Sequence, residues 1–195
     1  LIPKHKQTGD KLAYRGIGLM PSLYRIWARV RQEEARKWEH ARRRNFLAHQ
    51  SGRSILELVY QQALHAESGA VQDSPLHTAS IMWDLTNYYE HIDRKVLHRR
   101  ALKSGFNGAL MSVIMNQYQS QMMITLNNQT SFAGFPDLGI PAGCSFATFL
   151  VQMYCIDPLD IWTSNVKVSL HMFIGDLLLL FSHECKKTVA RELRR

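Results

Sequence analysis

The sequence predicts an α+β fold, an antiparallel sheet backed by helices. Three observations lead to it. Segments such as Pro21 to Arg44 and Ile55 to Glu67 space their apolar residues at helical intervals. An apolar hairpin, Val168 to Phe173 and Leu177 to Phe181, is interrupted by Gly175-Asp176. A shorter β-type run, Ile81, Met82 and Trp83, ends on a second carboxylate, Asp84. A carboxylate at the tip of a buried strand is costly unless a cation or a donor meets it. Two strand-end carboxylates that meet in space would build a site for divalent metal and phosphate.

The chain has 195 residues, which reads as one domain with room for a small appendage. A chain of this length buries roughly 70% of its unfolded surface, enough for a real core. The formal net charge of +8 favours polyanion partners, nucleic acid first and an acidic membrane second. Cys144, Cys155 and Cys185 are odd in number and lack metal spacing, which argues against a disulfide framework and a zinc module and for an intracellular protein, nuclear or cytoplasmic. No apolar run approaches the roughly 18 residues of a membrane span. The opening Leu1-Ile2-Pro3-Lys4 carries no methionine and no signal peptide, and so reads as a piece of something longer.

In order, Leu1 to Gly18 reads as two short strands joined by a turn at Gly9, with Lys4, His5, Lys6, Lys11 and Arg15 on a surface suited to phosphate or simply solvated. Pro21 to Arg44 is a helix with Leu23, Ile26, Trp27 and Val30 on its apolar face. Between Arg25 and Arg44 lie eight basic and three acidic residues. Arg25, Arg29 and Arg36, with Trp27 and Trp38 interleaved, make a nucleic-acid contact a rival to a merely solvated face. Gln50 to Ser54 is a loop whose Ser54 caps a helix over Ile55 to Glu67, with Leu56, Val59, Tyr60 and Ala63 inward. Asp93 caps a helix running to about Lys103, with Val96, Leu97 and Ala101 inward, ended by Gly105. Ala109 to Tyr118 is helical, Gln121 to Leu126 a strand, and Asn127-Asn128 a turn. The glycine-rich turn Gly139 to Ser145 enters an apolar helix, Phe146 to Ile156, which Asp157-Pro158 ends. The charged tail from Glu184 begins another helix.

Taken together and in this order, the pieces resemble the fingers and palm of a reverse transcriptase of the non-LTR retrotransposon and group II intron type. Arg15-Gly16-Ile17-Gly18-Leu19 is similar to the family's Arg-Pro-Ile-Ser-Leu, and Gln50 to Ser54 to its Gly-Phe-Arg-x-Gly-Arg-Ser segment. Asp84 to Ile92 matches the motif whose first Asp binds metal and whose aromatic, five residues on, lies under the nucleotide sugar; here that aromatic is Tyr89. Gly139-Ile140-Pro141-Ala142-Gly143 matches the Gly-x-Pro-Gln-Gly element, and Phe173-Ile174-Gly175-Asp176 the aromatic-x-Asp-Asp hairpin. The departures are Gly175 in place of the first hairpin Asp, Ala142 for Gln and Gly16 for Pro.

The resemblance implies a polymerase palm over residues 76–195, truncated after the metal-binding hairpin, with partial fingers and a basic helix over residues 1–75 and no thumb. It implies an RNA-directed DNA polymerase, a nucleotidyltransferase working on an RNA or DNA template with a primer and deoxynucleoside triphosphates, and no membrane partner. Asp84, the Leu85 carbonyl and Asp176 would hold two Mg2+ ions. Asp84 and Asp176 would be the catalytic carboxylates. Lys4, Lys6, Arg15, Tyr89 and Gly143 would join Leu85 around the nucleotide, and Arg53 would join Arg25, Arg29 and Arg36 on the template. Losing one carboxylate at Gly175 and the thumb implies weak or no activity, a degenerate copy or a non-catalytic binding remnant. The oligomeric state stays open.

Overall fold

A computed structural model of the chain describes residues 2–3, 14–15, 18–71, 76–165 and 168–192. Its elements in chain order are β1 (Ile2–Pro3), β2 (Tyr14–Arg15), α1 (Ser22–Ala41), α2 (Ile55–Val71) and β3 (His77–Asp84). A 3-10 turn over Tyr89–His91 is followed by α3 (Arg94–Lys103), α4 (Gly108–Tyr118), β4 (Met122–Leu126) and β5 (Gln129–Gly134). Then come α5 (Ala147–Asn165), β6 (Ser169–Phe173), β7 (Asp176–His183) and α6 (Lys186–Glu192). The mixed helical and antiparallel architecture is the one the sequence predicts. By contacts the chain divides into two compact units, Leu1–Ala35 with Tyr89–Leu150, and Arg36–Tyr88 with Val151–Arg195. Each is discontinuous in sequence.

In the first unit β1 and β2 pair antiparallel, Ile2 opposite Arg15. The expected turn at Gly9 lies outside the described residues. Asp93 caps α3, its carboxylate accepting from the amides of Lys95 and Val96 at 2.8 and 3.0 Å. Asn107 caps α4 in the same way through the Leu110 amide. Leu97 and Ala101 on α3 and Leu110, Met111 and Ile114 on α4 are buried, the faces that their spacing requires. Asn127 and Asn128 take φ of 50° and 62°, the two-residue left-handed turn that closes β4 onto β5. The sequence reading found β4 and the turn but missed β5.

The apolar face expected for α1 is corrected. Leu23, Ile26 and Val30 are 83%, 63% and 72% exposed. The helix instead buries Tyr24, Ala28, Ala35 and Trp38. Alanines give close approach and aromatics give area, and this arc outweighs a stripe of three aliphatics. Arg42 to Arg44 lie past the helix end, shortening the expected element.

In the second unit the sheet runs β3-β7-β6, all antiparallel. Leu178, Leu179, Leu180 and Phe181 make β7 its buried centre. β3 is an edge strand, with Met82 65% and Trp83 48% exposed, so the buried strand expected before Asp84 is corrected. Ser54 Oγ accepts from the Leu56 amide at 3.2 Å and starts α2. The inward face expected for α2 is also corrected: Leu56, Val59 and Tyr60 are 73%, 56% and 64% exposed, while the better-covered positions are Leu58, Gln62 and His65.

The helix end expected at Pro158 is corrected as well, because α5 runs on to Asn165. An interior proline costs about 3 kcal/mol. Two contacts beyond it act against that cost. Arg44 makes a bidentate ion pair with Asp160, Nε and Nη2 each at 2.8 Å, and Trp162 stacks on Trp83 with centroids 6.3 Å apart. Among the described residues no helix is long and apolar enough to cross a membrane.

Candidate active site

The second unit holds the carboxylates. β3 ends on Asp84 and β7 begins on Asp176, and the two are direct cross-strand partners in the β3–β7 ladder. Side chains directly opposite one another share a face of the sheet and lie roughly 5 Å apart at Cβ. Both residues are exposed. Two like charges at that spacing repel unless a cation lies between them.

Ile174 and Gly175 form the tight turn between β6 and β7. The Leu85 amide, one residue beyond Asp84, donates to the Gly175 carbonyl at 2.9 Å and ties the end of β3 to that turn. Gly175 is outside the left-handed region, whereas Ile174 sits in it with φ 57°. A Cβ on Gly175 would meet Tyr88 Cβ at 3.4 Å and the Leu85 carbonyl oxygen at 3.8 Å, which is ordinary contact. Neither backbone nor space therefore demands glycine there, and a side chain would grow toward the Leu85 carbonyl.

Asp84, Asp176 and the Leu85 carbonyl are hard oxygen donors, the kind magnesium takes. Among the described residues no group of three or more His, Cys, Asp or Glu side chains is placed to hold a metal. This donor set fits a divalent ion that takes its remaining ligands from water and phosphate, and falls short of an all-protein cage.

The other expected site residues are placed as follows. Lys4 and Lys6 lie outside the described residues, and the backbone of Arg15 is in β2. Tyr89 opens the 3-10 turn of the first unit, and its carbonyl accepts from the Ile140 amide at 2.9 Å. Burial raises its phenol above the ordinary value. Arg25, Arg29 and Arg36 are exposed along α1. Arg53 is half-buried, and its guanidinium donates to the Asn45 carbonyl at 2.6 Å. A Cβ on Gly143 would fall 2.2 Å from the Gly18 carbonyl oxygen. The bare Cα of Gly143 thus serves the packing of this chain's own backbone.

Sequence reasoning missed Arg94. This buried side chain in the first unit donates to the carbonyls of Gly139 at 2.6 Å, Pro136 at 2.5 Å, Tyr118 at 2.8 Å and Leu138 at 3.1 Å. It fixes the strand of backbone that enters the Gly139 to Gly143 turn. Its only sequence signal is its place at the first turn of α3, where a cation opposes the helix dipole and needs another reason to be there.

No family model and no curated protein matches the sequence. Solved structures do. The chain aligns with apo telomerase from Candida tropicalis, truncated from its C-terminal domain, at TM-score 0.53 and 12% identity, over 88% of this chain and 36% of that one. It aligns with telomerase from Candida albicans, in complex with a TWJ fragment of telomeric RNA, at TM-score 0.52 and 7% identity, over 88% and 32%. Over the aligned part the chain shares the fold of these telomerases. The chain spans about a third of the length of either telomerase.

Proposed function

We propose that the chain is the palm, with partial fingers, of an RNA-directed DNA polymerase of retroelement type, that it binds nucleic acid, and that its synthetic activity is weak or lost. The observation that carries this is the cross-strand pairing of Asp84 with Asp176, beside a turn where Gly175 stands in the place that the resemblance gives to a carboxylate. Asp84, Asp176 and the Leu85 carbonyl are the residues that would hold magnesium. An ion held by these residues would neutralise charge on a transferred phosphoryl group and would make a primer hydroxyl more acidic. Tyr89 would lie under the nucleotide sugar, and Lys4, Lys6 and Arg15 would face the triphosphate. One carboxylate fewer leaves one negative charge fewer to balance the dications. A loss of several kcal/mol in the transition state corresponds to roughly a thousandfold or more in rate.

Primer extension with magnesium or manganese tests the activity. The expected product is faint or absent; robust extension that Asp84→Ala abolishes would overturn the claim of weak activity. The exposed row of Arg25, Arg29 and Arg36 supports a second reading, a non-catalytic binding remnant. Both readings expect affinity for a primer–template that falls with a slope near −4 in log–log against salt, for about five neutralised phosphates. No binding at low salt would remove both.

A further inference from the structure

The turn that carries Gly175 and Asp176 is held from two sides. On one side the Leu85 amide donates to the Gly175 carbonyl at 2.9 Å. On the other is His49, whose Nδ1 lies 3.2 Å from the Ile174 amide. Ile174 has φ 57°, a conformation a β-branched residue takes only when its surroundings over-determine it. The His49 ring also stands edge-on to Phe173, with centroids 6.3 Å apart and an interplanar angle of 87°.

The loop that presents His49 is itself fixed. The Ala48 amide donates to the Met172 carbonyl at 2.8 Å and the Met172 amide to the Phe46 carbonyl at 2.6 Å, so Phe46 to Ala48 lie against β6 like a short further strand. Beneath them Gln152 donates to the buried carboxylate of Glu39 at 2.6 Å, and the Ser51 amide donates to the other oxygen of that carboxylate at 3.2 Å. Gln50, 2% exposed, accepts from the Arg44 amide at 3.3 Å. A satisfied buried polar network of this kind rigidifies what it supports.

Nδ1 is also 3.3 Å from the Met172 carbonyl. That carbonyl already accepts from Ala48, whereas the Ile174 amide meets Nδ1. Taking Nδ1 as the acceptor satisfies both groups and places the ring proton on Nε2.

We propose that His49 is a positioning residue: through the Ile174 amide it fixes the turn and so sets Asp176 opposite Asp84. It stands just before Gln50 to Ser54, the segment whose Arg53 the resemblance assigns to template or nucleotide contact, and its role is to hold the hairpin. The inference rests on the reading of Asp84 and Asp176 as ligands of a divalent cation.

The test uses the full chain, labelled for NMR, and two variants. His49→Phe keeps the edge-on ring and removes the acceptor. His49→Asn keeps an acceptor oxygen near the place of Nδ1. Two readouts are followed: amide exchange at Ile174 against Leu179 in the core of β7, and broadening of the Asp84 and Asp176 amides by added Mn2+. In His49→Phe, Ile174 exchange is expected to rise roughly three- to tenfold while Leu179 stays protected, and more Mn2+ is needed for the same broadening. His49→Asn is expected to restore both. Unchanged Ile174 exchange in His49→Phe overturns the inference, and so does a rise that Leu179 shares. Absence of broadening in the unmodified chain at millimolar Mn2+, with Ile174 still responding to His49→Phe, would remove the cation reading and leave His49 as an anchor of the turn alone.

Discussion

Asp84 at the end of β3 and Asp176 at the start of β7 are direct partners across an antiparallel ladder, so two carboxylates share one face at its exposed end. Without a cation this pairing opposes folding. Asp176→Asn is therefore expected to raise stability in chelator by less than about 1 kcal/mol. The same variant should lose whatever stabilisation Mg2+ or Mn2+ gives the unmodified chain, since a ligand bound only by the folded state adds to its stability. Urea denaturation with and without the ion checks both halves. An equal divalent response in the two proteins would mean that the pair does not bind the ion.

Gly175→Asp is the complementary change. The position has ordinary backbone geometry, and its Cβ would reach only ordinary contact with Tyr88 and the Leu85 carbonyl. The substitution should fold, and Mn2+ affinity should rise roughly tenfold or more as a third carboxylate joins the donor set. Isothermal titration measures it. If the affinity does not move, the added carboxylate does not reach an ion bound at Asp84 and Asp176.

Arg94 predicts the largest loss of stability outside the apolar core. Its guanidinium serves four carbonyls, and Arg94→Met strands them in a buried place. The cost of leaving buried acceptors unmade is about 1–3 kcal/mol each before relaxation, so a total of about 3 kcal/mol or more is expected. Arg29→Met, on the exposed face of α1, should stay within about 0.5 kcal/mol. Equal urea midpoints for the two variants would refute the assigned role of Arg94.

Local signals with a mechanism were legible in the sequence. Asp93 as a cap, Asn127-Asn128 as a turn and a hairpin break beside Gly175 each follow from what one or two residues do to nearby backbone. What could not be read is which side of an element finds a neighbour. In α1 the aliphatic stripe and the Tyr24–Ala28–Ala35–Trp38 arc are both at helical spacing, and only packing chooses between them. Arg94 and His49 act on backbone carbonyls and amides far away in sequence, so no local pattern announces them. The register that sets Asp84 against Asp176 spans 91 residues of intervening chain and is likewise a tertiary fact.

The exposed side of α2 turns one of these misreadings into a measurement. Leu56 is 73% and Val59 56% exposed, so Leu56→Lys should change stability by no more than about 0.5 kcal/mol. Leu97→Ala, at a fully buried position, should cost about 2–5 kcal/mol. A Leu56→Lys protein as unstable as Leu97→Ala would show that this side of α2 is covered in solution.

His171 on β6 supplies a pH dependence with a definite sign. Burial, and after it the nearby Arg53, lowers its folded-state pKa below the ordinary 6.5. Arg53 and Glu57 line the same small cavity, and Ser169 Oγ lies 3.3 Å from Nε2. The folded state thus favours the neutral ring, and the unfolded chain takes up the proton first as pH falls. The contribution is fully present above the unfolded value and is lost as pH drops through it toward the lower folded one. Between about pH 7.5 and 5.5 the unmodified chain should lose more stability than His171→Gln, because only the former carries this titration. Urea midpoints at the two pH values measure the difference. Parallel pH profiles would show that His171 titrates alike in both states and that its surroundings are wetter than the packing around β6 implies.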